Sequence, residues 1–200
     1  MRIVRNTILR KSGSMVGLLV AVRLSIPVRI ARSAALAAFC LMALGFLCHA
    51  AGLRINTTQS IPVGLYRVTD VPVEKGEYVI FCPPQSALFD EALERGYIGA
   101  GFCPGGYGLM MKRVAAMGGD AVIWTQEGVS VNGKLLPSSV PLEADKAGRV
   151  MPRYLFDDYT LGESELLLMS DASRTSFDGR YFGAVDLSQV KGVIRPVMTF

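Results

Sequence analysis

The chain has 200 residues, half of them hydrophobic, and a formal net charge of +4, room for one globular domain and an anchor but not for two full domains. The charge is unevenly placed: residues 1–54 hold eight Arg or Lys and no Asp or Glu, leaving 13 basic residues against 17 acidic ones beyond them. A nucleic-acid reader carries its basic residues on the folded domain, so nucleic acid is excluded as a partner here.

Residues 1–32 form a basic segment containing Arg2, Arg5, Arg10, Lys11, Arg23, Arg29 and Arg32. The apolar stretch Met15 to Val22 within it is too short to span a bilayer, and Met15 is an alternative start. Residues 33–53, from Ser33 to Leu53, carry no formal charge. About 20 apolar residues cross a hydrocarbon core of roughly 30 Å, so this stretch is predicted to be a single transmembrane helix. Positive charge on its N-terminal side holds that side in the cytoplasm, so residues 54–200 are exported. A cleavable signal peptide is the alternative. Its apolar region would run only about 7–15 residues to a small-x-small site, and this stretch is longer.

Beyond Arg54 the pattern turns to short strands punctuated by Gly and Pro. Strands are predicted from Gly64 to Val68, over Tyr78 to Phe81, within Gly108 to Met117, and over Ala121 to Thr125 and Val129 to Val131. Glu165 to Met169 and Val190 to Val197 complete the set, with one short helix over Ala87 to Arg95. Asn132-Gly133 is a type I′ hairpin signal. The fold class is therefore mainly β, hung from one helix. Cys40 and Cys48 lie in the anchor as small apolar residues. Cys82 and Cys103 lie in the exported domain, where the compartment permits a disulfide; two free buried thiols are the alternative.

The only histidine is His49, inside the anchor. A Ser-His-Asp triad, a Cys-His dyad and a His-built zinc site each need a histidine in the domain, so no metal and no cofactor is expected. Hydroxyl activation then falls to lysine or a carboxylate. A lysine acts as a base only when neutral, which requires burial to lower its pKa by roughly two to three units. Lys112 has the most apolar setting, in Leu109-Met110-Met111-Lys112-Arg113-Val114-Ala115-Ala116-Met117. At period two, Met110, Lys112 and Val114 share a face and Arg113 points away; an edge lysine reaching out to water is the alternative. The hydroxyl candidate is Ser60, in Asn56-Thr57-Thr58-Gln59-Ser60-Ile61-Pro62-Val63-Gly64-Leu65-Tyr66. In an extended chain Thr58 presents its hydroxyl on the same side, where an oxyanion needs donors. Read alone, the segment is equally a polar linker. Ser188-Gln189-Val190-Lys191 fits Ser-x-x-Lys, but that motif needs Ser-Asp-Asn and Lys-Thr-Gly partners, which this chain lacks.

The spacing Asn-x-Thr-x-Ser-x-Pro-x-Gly-Leu-Tyr just past a single membrane helix resembles the nucleophile box of the TraF-type, conjugal-transfer branch of the signal peptidases. Lys112-Arg113-Val114 with Gly119-Asp120 resembles the family's lysine box, and Lys75 to Phe81 its intervening strand box. Ser170-Asp171-Ala172-Ser173-Arg174-Thr175-Ser176-Phe177-Asp178-Gly179-Arg180-Tyr181-Phe182-Gly183 aligns without gaps on Gly-Asp-Asn-Arg-x-x-Ser-x-Asp-Ser-Arg-Tyr-x-Gly. The resemblance implies a signal-peptidase-like antiparallel β-sheet domain and a Ser60/Lys112 dyad. It further implies an oxyanion hole of the Ser60 N–H and the Thr58 hydroxyl, and Ser176 orienting the lysine. Asp178 and Arg180 become a structural pair that, taken as exposed, is worth under about 1 kcal/mol and serves to hold the box in shape. The sequence departs from the family at Gly118, where the lysine box has proline, and at Ala172 and Ser173, which replace Asn-Arg.

The function so implied, for a single-pass protein of the bacterial inner membrane with its catalytic domain in the periplasm, is processing of a membrane-inserted pilin precursor for conjugal transfer or type IV secretion, by hydrolysis or by cyclisation. The lipid bilayer and other components of the conjugation apparatus are the remaining partners. A general signal peptidase acting on exported preproteins is an alternative, and a non-catalytic assembly component is another.

Overall fold

The computed structural model describes residues 13–200, with side chains in the first helix described from Val28. Arg2, Arg5, Arg10 and Lys11 lie outside the described residues. The chain divides into two units, residues 1–50 and 51–200.

In the first unit, α1 runs Gly13–Ala50 as one continuous helix. Its part Val28–Ala50 is long and apolar enough to cross a membrane. The helix stops at Ala50, and Leu53 already belongs to strand β1 (Leu53–Asn56). The sequence boundary at Leu53 is therefore three residues late. Hydropathy carries no mark of the change, because Ala51 and Leu53 are as apolar as the helix itself.

The second unit is mainly β. Its strands are β1, β2 (Gly64–Thr69), β3 (Tyr78–Phe81), β4 (Met110–Met117), β5 (Ala121–Thr125) and β6 (Gly128–Val131), followed by β7 (Lys134–Leu135), β8 (Phe156–Thr160), β9 (Glu165–Met169), β10 (Val185–Asp186) and β11 (Val190–Thr199). Two short α-helices interrupt them, α2 (Ala87–Glu94) and α3 (Gly179–Phe182). A seven-stranded antiparallel sheet has the order β1-β2-β11-β3-β4-β9-β10, and a four-stranded one the order β7-β6-β5-β8.

β4 sits inside the larger sheet between β3 and β9. Lys112 stands opposite Val79 on one side, and Arg113 opposite Met169 on the other. Burial alternates along β4, with Met110, Lys112 and Val114 inward and Arg113 exposed. Between Val114 and Ala116 the register shifts against β9. Such a bulge turns the strand by one residue. Val114 accordingly packs with Val79, Phe81 and Phe177, whereas Ala116 packs with Val122, Trp124 and Leu167. β9 is buried on both faces, Leu166 and Leu168 on one and Leu167 and Met169 on the other, which accounts for its unbroken apolar run.

Turn chemistry places the ends of these strands. Asn132 (φ 49°) and Gly133 (φ 75°) form the two-residue loop between β6 and β7, both in the positive-φ region that a type I′ turn requires. At Gly118, a Cβ would lie 2.8 Å from the backbone of Gly162 and Glu163. This close approach leaves no space for the proline that the resembled box carries there. Cys82 and Cys103 are joined by a disulfide, 5.5 Å apart at Cα. The bridge ties the end of β3 to the loop leading into β4 and limits the unfolded chain, contributing about 2–4 kcal/mol.

Candidate active site

The segment 57–63 has no regular structure, yet it is fixed at both ends. Ile61 is fully buried against Tyr66, Ile80 and Ile194. Asn56, also buried, spans the turn: its Nδ2 donates to the carbonyls of Thr58 (2.8 Å), Ile61 (3.0 Å) and Pro62 (3.0 Å). The Tyr66 hydroxyl donates to the Pro62 carbonyl at 2.6 Å. A segment whose backbone groups are satisfied this way is not a loose linker. Ser60 stands at its apex, partly exposed, in a cleft of about 590 Å³.

Thr58 departs from its expected geometry. The chain turns at this point instead of extending, and both the Thr58 N–H (3.1 Å) and its hydroxyl (2.9 Å) donate to Asn56 Oδ1. An Asx side chain competing for nearby backbone groups causes this. Asn56 was visible in the sequence as the first residue of the quoted box, but without an assigned role.

β4 brings Lys112 to the other side of the cleft floor. Its Nζ lies 2.8 Å from Ser60 Oγ and 2.8 Å from Ser176 Oγ, and the Ser176 hydroxyl is 3.2 Å from that of Ser60. Lys112 is only 2% exposed. Burial pushes its amine down from 10.5 to about 8; the negative charge of Asp178 opposes that shift and Arg180 adds to it. At neutral pH roughly a tenth of the molecules then hold an uncharged amine against a hydroxyl. Ser188 and Lys191, the decoy pair, are both exposed on the surface.

Ser176 belongs to the segment that follows β9. Its neighbours Asp178 and Arg180 correct the expectation of an exposed pair, since both side chains are 0% exposed. Asp178 Oδ1 accepts from Arg180 Nε (2.7 Å), and Oδ2 accepts from Arg180 Nη2 (2.8 Å) and from the Ser170 N–H (2.9 Å). Asp178 also caps α3 through the Arg180 N–H at 3.2 Å. Arg180 Nη1 donates to the Arg174 carbonyl at 3.1 Å. The pair can be buried because its charges are matched in a two-pronged geometry and its remaining lone pairs and protons are used.

Chemically, a buried amine touching a partly exposed hydroxyl in a cleft can generate an alkoxide-like nucleophile without histidine. Cleft walls come from Tyr97, Ile98, Gly99 and Ala100 on one side and Ile55, Asn56 and Thr57 on another. The disulfide holds the first of these walls, since residues 97–100 lie inside the loop that it closes.

The family model described as signal peptidase, peptidase S26, matches residues 28–199. A plasmid transfer protein TraF of Escherichia coli is 66% identical over 152 residues, 76% of this chain and 85% of that protein. A conjugal transfer protein TraF of Agrobacterium tumefaciens (strain 15955) is 38% identical over 151 residues, 74% of this chain and 84% of that one. Among solved structures, a signal peptidase I from Enterococcus faecalis V583 is similar with a TM-score of 0.35 at 18% identity, over 62% of this chain and 98% of that chain. With the family model matched from the membrane-length helix through β11, and relatives aligned over most of their own length, the chain belongs to the signal peptidase family, peptidase S26.

Proposed function

We propose that the protein is a membrane-anchored serine endopeptidase that processes a pilin precursor for conjugal transfer. The observation that carries this reading is the buried Lys112 amine 2.8 Å from the Ser60 hydroxyl on the floor of the cleft. The pilin substrate is supported by relatives whose names place them in plasmid and conjugal transfer.

In this reaction the Ser60 hydroxyl donates its proton to neutral Lys112 Nζ as Oγ attacks the scissile carbonyl carbon. The oxyanion accepts hydrogen bonds from the Ser60 N–H and the Thr58 hydroxyl, once the latter has turned from Asn56 Oδ1. Collapse breaks the C–N bond, Lys112 returns the proton to the departing amine, and an ester on Ser60 remains. Water, or the amino end of the pilin itself, then attacks that ester with Lys112 again the base. Ser176 holds the amine in place through both halves.

The membrane-length helix, the basic residues before it and the Cys82–Cys103 bridge support a bacterial inner-membrane protein with its peptidase domain in the periplasm. Full-length protein in detergent, incubated with a pilin precursor from its own transfer system, tests the function. Shortened product is expected, and none with Ser60→Ala; equal processing by both proteins ends the reading. Product mass distinguishes the two fates of the ester, because ring closure gives a species lighter by one water than hydrolysis.

The rate should depend on pH in one direction. Only the uncharged amine accepts the proton, so kcat/KM is expected to rise about tenfold per unit below pH 8 and to level off above it. A profile that is flat from pH 6 to pH 9 would remove Lys112 from the base role.

A further inference from the structure

One buried hydroxyl beside the site has no part in the chemistry above. Ser170 directly follows β9 and is only 1% exposed. Its hydroxyl donates to the backbone carbonyl of Ser60 at 2.7 Å and accepts from the Ser173 N–H at 3.1 Å. Its own N–H donates to Asp178 Oδ2 at 2.9 Å. The contact to Ser60 joins residues 110 positions apart. The glycine aligned with Ser170 in the resembled box has no side chain with which to make it.

The grip falls on the atom that matters. Asn56 secures the carbonyls of Thr58, Ile61 and Pro62 but not that of Ser60. Fixing the Ser60 carbonyl fixes the rotation about its Cα–C bond, and with it the direction of Cα–Cβ relative to β4. One segment thus holds both partners: Ser176 lies against the Lys112 amine, and Ser170, six residues earlier, holds the backbone of Ser60. Asp178 ties the two together through the Ser170 N–H and the buried Arg180.

We propose that Ser170 is a positioning residue for the nucleophile, its hydroxyl anchoring the Ser60 carbonyl so that Oγ meets Lys112 Nζ. The proposal rests on the Ser60/Lys112 reading. Attack geometry tolerates little error, and a misplacement of about 1 Å costs on the order of 100-fold.

The test uses full-length protein in detergent with the same pilin precursor, with rates normalised to the folded fraction from thermal unfolding. Ser170→Ala is expected to lower kcat by about 10- to 100-fold with KM within about threefold. The pH midpoint should stay near that of wild type, because the Lys112 surroundings are unchanged. Ser170→Thr, which keeps the hydroxyl, should recover most of the loss per folded molecule. Ser170→Ala with wild-type kcat per folded molecule overturns the proposal, as does Ser170→Thr as slow as Ser170→Ala. Ser60→Ala distinguishes the two levels: if it still processes precursor, the dyad reading itself has failed, and if it is dead while Ser170→Ala is fully active, only the positioning role has.

Discussion

Replacing Lys112 with methionine is expected to abolish processing and at the same time to raise the thermal midpoint. The two effects share one cause. Removing one member of a nucleophile–base unit costs roughly 10⁴- to 10⁶-fold in kcat, since neither partner works alone. Stability moves the other way, because burying the amine is unfavourable. The folded amine titrates at about 8 against 10.5 for the free side chain, so the unfolded chain holds the proton more tightly. The resulting penalty is full below pH 8, at about 3 kcal/mol, and disappears as the pH rises to 10.5. Methionine fills a similar volume without that penalty. The Ser176 hydroxyl already donates to Ser60 Oγ at 3.2 Å, and this bond can remain once the amine is gone. A net gain of about 1–2 kcal/mol at pH 7, shrinking by pH 10, is expected from thermal unfolding. A variant less stable than wild type at pH 7 would show that the buried amine carries no such penalty, and one that retains activity would show that the amine is not required.

The second large effect concerns the buried pair. Asp178→Ala strands the Arg180 guanidinium and the Ser170 N–H in the interior and removes the α3 cap. Breaking one side of a buried ion pair costs about 3–5 kcal/mol, so unfolding in denaturant should shift by that amount. Arg180→Met alone should cost a similar amount, because it leaves the carboxylate unpaired. The double variant Asp178→Leu/Arg180→Met should be less destabilised than the two single losses added together. Additive losses would mean that the two side chains act independently, contrary to their 0% exposure and two-pronged contact. Because Asp178 also holds the Ser170 N–H, the single variants should slow processing beyond their loss of folded protein.

The sequence made some of this legible and hid the rest for physical reasons. Period-two alternation placed Lys112 inward and Arg113 outward, and the structure has that pattern. The Asn132-Gly133 turn was readable because positive φ restricts residue choice. The mainly β class followed from short apolar runs between Gly and Pro. β1 was hidden, since Leu53 continues the hydropathy of the helix, and β8 (Phe156–Thr160) is mostly exposed and shows no alternation. β7 and β10 have two residues each and exist only through their neighbours' hydrogen bonds.

At the site, residue types were readable, while contacts beyond the Ser60–Lys112–Ser176 group that the resemblance implied were not. Asn56 and Ser170 stood in the quoted boxes, yet a polar side chain does not announce which carbonyl it will hold 5 or 110 residues away. Thr58 was read on an extended chain, whereas its N–H and hydroxyl both rest on Asn56 Oδ1. The turn made by Asn56 is a local competition that alternation cannot show. Asp178 and Arg180 looked like a surface pair because charged residues are rarely buried. Their burial depends on an acceptor and donor count supplied by residues 140, 170 and 174.

The account stands on an amine that gives up its proton near neutral pH because the fold has taken it out of water. Lysine carrying ¹³C at Cε, incorporated into the full-length protein, reports this directly by NMR titration, with the Lys112 signal identified by its absence from Lys112→Met. A midpoint near 8 is expected for Lys112. A Lys112 midpoint at 10 or above would contradict the account, whatever the processing assays show.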